Sequence, residues 1–288
     1  MKAPNFIYRR PDSLDEALAL LGDHAGEAQV LAGGQSLMPT LAMRLSSPAM
    51  LIDINRIAAL DNISEADGMI RLGALVRHYQ VLESLLIAQR IPLLADAMTH
   101  VAHMAVRNRG TTCGSLALAD PSAEMPAVAV LLNAMIHLAS RTGKRDIAAR
   151  EFFQGLYTTA RADNEMIVGV SFPCASPAEI FHFNELSRRH GDFAVVGIGI
   201  KAQRVERDIT GIDVVMFGSE PSPLLSSATS GMTITPKTSD ADLRDMAQTI
   251  TAEMEPLDNH QGRPETKRRQ AAELLRRGLT DFREALHG

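Results

Sequence analysis

Two short stretches have the composition of loops that meet an anion. Residues 32–36 read Ala32-Gly33-Gly34-Gln35-Ser36, and residues 111–115 read Thr111-Thr112-Cys113-Gly114-Ser115. The first follows an apolar segment, and each ends in a hydroxyl. Glycine lets bare backbone N–H groups approach a ligand that a Cβ would hold off. Two converging loops of this kind would surround a pyrophosphate with N–H donors and hydroxyls, with no lysine needed. A tight turn explains either loop alone equally well. Neither stretch is the G-x-G-x-x-G of a dinucleotide fold or the G-x-x-x-x-G-K-S/T of a P-loop.

The elements around these stretches give them a setting. Phe6-Ile7-Tyr8 reads as a short strand, and Asp12-Ser13 caps a helix with Leu14, Leu18 and Leu21 at helical spacing. "AQVLAGG" is a buried strand ending in the glycine pair. "SLMPTLAMRL" is a helix if Pro39 lies in its first turn, and "MLIDI" is a strand ended by Asp53-Ile54-Asn55. Residues 1–55 thus read as a small β-α-β-α-β lobe and 56–176 as a second lobe. In the second lobe, 68–76 reads as a strand and 78–106 as mostly helical with a break at Ile91-Pro92. The second loop follows, then a helix from about Ser122 to Leu132, a strand "AMIHLAS", a helix-like "REFFQGLYTTA" and a strand over 165–173. Pro173 to Pro177 reads as a boundary. Beyond it, "EIFHFNELSR", "DFAVVGIGIKAQ" and "DITGIDVVMFG" are three successive strands, and the chain turns helical from Asp240. The fold class is α+β: domain 1–176 with its two lobes, and an α+β domain 177–288 with a three-stranded antiparallel sheet and helices.

Composition narrows the function. The 288 residues are 45% apolar and 22% charged, and the net charge of −5 argues against a nucleic-acid partner. No apolar run approaches the ~20 residues of a transmembrane segment. The start, "MKAPNFIYRRPDSLDEA", lacks a signal-peptide core, which gives a cytoplasmic reading. The two cysteines, Cys113 and Cys174, are too few for an iron–sulfur cluster, which typically takes four thiolates. The pair His100-x-x-His103 lacks the further ligands of a hydrolytic zinc site, so no metal site is assigned.

"LAGGQSLMPTLAMRLSSPAMLIDI" and "RNRGTTCGSLALADPSAEMPA" resemble the FAD-binding medium subunit of bacterial molybdenum hydroxylases. That family includes carbon monoxide dehydrogenase and the quinoline and nicotine hydroxylases, and the flavin segment of xanthine dehydrogenase is similar. The likeness extends along the whole chain, including "EMIVGVSFP" and the "SRRHGDFA" turn. The resemblance implies a two-lobed FAD-binding domain of the vanillyl-alcohol-oxidase type and a C-terminal domain. It implies that Ala32, Gly33, Gly34, Gln35 and Ser36 and then Thr111, Thr112, Cys113, Gly114 and Ser115 are the pyrophosphate loops. Glu124 would contact the ribityl or ribose region, with Asp120 in the same segment. Ile167 and Asn184 would lie near the isoalloxazine, Val101 near the adenine, and Phe193 close to the flavin. No catalytic residue is implied. The chain would be the electron-transfer oxidoreductase subunit of a heteromeric complex, taking electrons from 2Fe–2S clusters in a small iron–sulfur subunit. A large molybdenum–pterin subunit would hydroxylate an N-heteroaromatic compound or oxidise CO, in a dimer of heterotrimers.

Two positions depart from the family pattern. The second loop usually reads T-I-G-G-S/N, so Cys113 replaces a glycine and the backbone has to tolerate a Cβ. Phe193 stands where related chains often have Tyr. Alternatives are a stand-alone flavin oxidoreductase on the same fold and, because of Cys113, an assembly subunit with an empty flavin site. The segment 260–288 carries Arg263, Lys267, Arg268, Arg269, Arg276, Arg277 and Arg283, and reads either as a docking helix or as a solvated face.

Overall fold

The structure is a computed structural model and describes residues 2–287. The first lobe contains β1 (Ile7–Arg9), α1 (Leu14–Asp23), β2 (Ala28–Leu31), α2 (Leu37–Ala42) and β3 (Met50–Asp53). Its sheet is parallel in the order β1-β3-β2, so helices must supply the crossovers. Ser13 starts α1 by accepting the Glu16 N–H at 3.2 Å. All four residues of the central strand β3 are buried.

The second lobe begins with β4 (Ile63–Ala66) and β5 (Met69–Gly73). Six helices follow: α3 (His78–Glu83), α4 (Leu85–Arg90), α5 (Pro92–His100), α6 (Met104–Arg107), α7 (Thr112–Leu118) and α8 (Glu124–Leu131). Pro92 occupies the first turn of α5, which explains the break expected there. The chain then returns through β6 (Met135–Ser140), β7 (Gly143–Ala148), α9 (Ala149–Phe152), β8 (Phe153–Gly155), β9 (Thr158–Thr159) and β10 (Met166–Pro173). These build an antiparallel sheet in the order β4-β5-β10-β6-β7. Every residue of α8 is buried, as its uninterrupted apolar sequence after Glu124 requires. The segment "REFFQGLYTTA" differs from its helical reading: only 149–152 form a turn of helix, and Phe153 to Thr159 fold back as a hairpin. The β-branched Thr158-Thr159 pair suits the return strand better than a helix.

The C-terminal region contains β11 (Glu179–Leu186), β12 (Val196–Val205), β13 (Asp208–Phe217), β14 (Leu224–Leu225), α10 (Asp240–Thr251) and α11 (Pro264–Glu284). The expected three strands pair antiparallel, and the short β14 adds a fourth that two residues of sequence do not announce. This sheet buries both faces. Val215 and Phe217 join the core of the two lobes, while Val214 and Met216 join a second core under α10 and α11. Period-two alternation divides them between the faces. Gly197 carries no side chain because the Phe217 ring lies where its Cβ would be, 2.1 Å away. Among the described residues no helix is long and apolar enough to cross a membrane.

Candidate flavin site

The first glycine loop leaves the end of β2 and enters α2. Gly34 has φ +71°, a left-handed conformation that a side chain would strain. Gly33 is needed for another reason. A Cβ on it would sit 2.4 Å from the Arg109 carbonyl oxygen and 2.9 Å from the Gly110 Cα. The first loop therefore lies directly on the backbone that leads into the second. None of the N–H groups of residues 33–36 donates to a protein carbonyl among the described residues. They border a cleft of about 430 Å³ lined by Ala32, Gly33, Gly34, Gln35, Asp53, Asn55 and Arg109, among others. Ser36 is exposed beside them, at the start of α2.

The second stretch is the first turn of α7, not a free loop. Thr111 caps it, accepting the Gly114 N–H at 3.0 Å. Gly114 is exposed and Ser115 half-buried, while Thr112 and Cys113 turn inward. The Cys113 Sγ sits 3.9 Å from the carbonyls of Leu72 and Gly73, and burial pushes its thiol up to about 12. The helical backbone accommodates this Cβ, and the side chain occupies the interior. The Thr112 Oγ1 is buried without a partner.

A polar chain ties the stretches together. Asp53 accepts from the Tyr8 hydroxyl and, at 2.6 Å, from the Asn55 amide, which also donates to the Ala32 carbonyl at 2.9 Å. Burial alone would raise the Asp53 carboxyl, but the bonds from Tyr8 and Asn55, with Arg10 at 3.6 Å, hold it below its ordinary value. Asn55 accepts from Arg77, whose other arm reaches the Arg109 carbonyl at 2.5 Å. Sequence reasoning used Asp53 and Asn55 only as a strand end and did not single out Tyr8 or Arg77. These contacts span tens of residues and leave no local pattern.

The other residues implied by resemblance fall into separate groups. Asp120 accepts the Ser122 N–H at 2.9 Å and the Tyr157 hydroxyl at 3.3 Å, and burial raises its carboxyl. Glu124 is buried at the start of α8. Burial, reinforced by the Glu185 carboxylate, pushes it up to about 8. The Glu185 Oε1 lies 3.7 Å from the His100 Nδ1 and raises that imidazole. Val101 is buried immediately after His100, and Asn184 is half-buried beside Glu185 on β11. Gly191 seats the 187–193 turn on this corner: a Cβ there would lie 2.7 Å from the Ala102 carbonyl oxygen. Phe193 is 56% exposed and precedes β12 instead of starting it in the core. Ile167 lies elsewhere, buried on β10 and paired with Leu138 on β6.

A larger cleft, about 680 Å³, separates the start of α1 and residues 59–62 from the other face of the five-stranded sheet. His137 borders it, with Asp146 2.7 Å from its Nδ1 and Ser171 2.7 Å from its Nε2. Both ring nitrogens are engaged and Ser171 is buried, so the row braces the sheet and presents no accessible nucleophile.

Residues 4–175 match the family described as FAD binding domain in molybdopterin dehydrogenase, and residues 181–282 match the CO dehydrogenase flavoprotein C-terminal domain. The chain belongs to this molybdopterin dehydrogenase flavoprotein family. It is 43% identical over 197 residues to the 6-hydroxypseudooxynicotine dehydrogenase complex subunit alpha of Paenarthrobacter nicotinovorans, covering 68% of this chain and 67% of the relative. It is 30% identical over 279 residues to the carbon monoxide dehydrogenase medium chain of Hydrogenophaga pseudoflava, covering 97% of each. The crystal structure of quinoline 2-oxidoreductase from Pseudomonas putida 86 superposes with a TM-score of 0.94 at 32% identity, over 99% of each chain.

The residues present fit the family's cofactor. FAD brings a pyrophosphate, and the structure supplies unpaired N–H groups at 33–36 with exposed Ser36 and Gly114 and half-buried Ser115. The basic C-terminal helix is largely engaged within the chain. Arg276 and Arg277 both bond Glu273, Arg268 reaches the Met254 carbonyl at 2.7 Å, and Lys267 is buried on the Leu257 carbonyl at 2.7 Å.

Proposed function

We propose that this chain is the FAD-carrying electron-transfer subunit of a heteromeric molybdenum hydroxylase. A small subunit with 2Fe–2S clusters delivers electrons to it, and an external acceptor removes them. A large molybdenum–pterin subunit performs the hydroxylation. The observation that carries this reading is the close approach of Gly33 to the Arg109–Gly110 backbone, which brings the open first stretch, bordering the 430 Å³ cleft, against the segment that leads into the second. The relatives named for quinoline and for 6-hydroxypseudooxynicotine favour an N-heteroaromatic substrate over CO. The partners and the dimer of heterotrimers are carried over from the family, and the chain is read as cytoplasmic.

When bound, FAD supplies a redox centre that takes up electrons singly and releases them singly or in pairs. The chain's residues bind and shield it. Residues 32–36 and 111–115 hold the pyrophosphate, with Ser36 and Ser115 as hydroxyl donors. Asp120 and Glu124 border the ribityl or ribose portion. Val101, at the end of α5, is kept near the adenine, and Ile167, on β10, stays with Asn184 and Phe193 near the isoalloxazine, as the resemblance implies. The domain division is proposed at 1–176 and 177–288, with lobes near 1–55 and 56–176, supported by the gap between the two family matches.

Cys113 kept an empty-site reading open while only the sequence was considered. Its side chain points away from the loop face, so that reason is gone. The test of the subunit reading is dye reduction. The FAD-loaded chain with quinoline or nicotine is expected to reduce no dye, and addition of the large and small subunits is expected to start turnover. Turnover by the isolated chain would establish the stand-alone oxidoreductase instead.

A further inference from the structure

We propose that Asn55 and Arg77 are positioning residues of the flavin site, a strap that fixes the two phosphate-binding stretches relative to each other before the cofactor arrives. The proposal rests on the FAD reading above and adds to it how the cradle keeps its shape. Residues 32–36 and 109–115 belong to different lobes, and no strand pairing joins them directly. What joins them is a run of side-chain bonds. The Asn55 amide donates to the Ala32 carbonyl at 2.9 Å and to Asp53 at 2.6 Å, and the Asn55 backbone N–H donates to Asp53 at 2.9 Å. Its carbonyl accepts from Arg77, and Arg77 donates to the Arg109 carbonyl at 2.5 Å. Gly33 rests on that same Arg109 carbonyl.

The residue types suit the task. Asn55 must donate to two acceptors and accept from a cation with one side chain, and only an amide offers both ends. An aspartate there would face the Ala32 carbonyl and Asp53 with no donor. Arg77 must reach two carbonyl oxygens in different directions, which a planar fork does and a lysine does not. The backbone supports the same register: Arg77 bridges Thr111, and the His78 N–H donates to the Gly110 carbonyl at 2.9 Å. Tyr8 and Arg10 hold Asp53 from the far side. A cradle built in advance spares the cofactor the ordering of two loops, and this appears as affinity.

The experiment measures FAD dissociation constants for the flavin-stripped full chain and for Asn55→Ala, Arg77→Gln, Arg77→Lys and the double variant Asn55→Ala/Arg77→Gln. The melting temperature of each flavin-free protein is measured alongside. Each single loss is expected to weaken FAD by about tenfold to a hundredfold, the scale of a hydrogen bond to a charged group. The double variant is expected to be no worse than its weaker parent, because the strap acts as one unit. Arg77→Lys is expected to recover part of the affinity. Variants that bind FAD as wild type does would overturn the strap. So would additive losses that merely track the melting temperature. A wild-type chain that takes up no FAD would instead bring down the flavin reading itself.

Discussion

Residues 32–36 follow a parallel strand and stay open, whereas residues 111–115 are wound into a helix whose inner side is packed. In the first stretch Gln35 and Ser36 are exposed, Gly34 takes a left-handed φ of +71°, and the N–H groups are free. In the second, Thr111, Thr112 and Cys113 are buried, and only Gly114 and Ser115 face outward. Two carboxylates near the stretches follow the same division. Asp53 beside the first stretch is held low by the bonds of Tyr8 and Asn55 against its burial, and Glu124 beyond the second is pushed up to about 8 by burial. Two similar-looking sequences thus do different work: one supplies unpaired backbone N–H groups at a close contact, the other a helical wall anchored in the core.

This difference predicts unequal sensitivity to the same substitution. Gly33→Val is expected to abolish FAD retention and to lower stability, because its Cβ would overlap the Arg109–Gly110 backbone at 2.4 to 2.9 Å, and neither side can yield. Gly114→Val meets only the Thr111 hydroxyl at 2.7 Å and is expected to weaken the cap, costing about 1 kcal/mol, and to lower FAD affinity by less. Flavin content after gel filtration checks the order. Equal losses in the two variants would erase the distinction.

The carboxylates predict opposite pH signs. Glu124 ionises near 8 in the fold against an ordinary 4.5, so its contribution is complete below the ordinary value and is lost as pH rises toward 8. Glu124→Gln is expected to be more stable than wild type at pH 8, by up to about 4 kcal/mol, and to match it near pH 4.5. Asp53 is held below its ordinary 3.8, so its contribution is present above that value and disappears in acid. Asp53→Asn is expected to cost roughly 1 kcal/mol at neutral pH and nothing in strong acid. Denaturant titrations at several pH values decide, and parallel curves for both variants would contradict the assignment.

The smallest effect is expected at Cys113. Its thiol is covered by protein, so labelling is expected to be slow with or without FAD, and Cys113→Gly is expected to cost about 1 kcal/mol, mostly from the cavity left by the buried thiol with a few tenths from helix propensity, while leaving FAD affinity nearly unchanged. Fast labelling of the flavin-free chain would place the thiol at the cradle surface instead.

Much of the frame was legible because it repeats locally. Ser13 and its leucine spacing marked α1, Ile91-Pro92 marked a helix break, and the apolar strand runs marked β11 to β13. The 153–159 hairpin was misread because a short helical turn at 149–152 precedes it, and β14 because two residues carry no period. The glycine pairs were visible as possible phosphate loops, but their mutual contact was not. That contact, and the strap through Asn55 and Arg77, depend on how separate lobes meet. The inward turn of Cys113 was hidden for the same reason: a first helical turn and a loop read alike in five residues.

The central claim is that both stretches form one pyrophosphate cradle, and competition between FAD and ADP tests it most directly. ADP carries the pyrophosphate and adenine of FAD without the isoalloxazine. Titrated into the flavin-stripped wild-type chain, FAD is expected to bind saturably at one site and to be displaced by ADP. No FAD uptake by a folded chain, or uptake that ADP leaves untouched, would contradict the cradle.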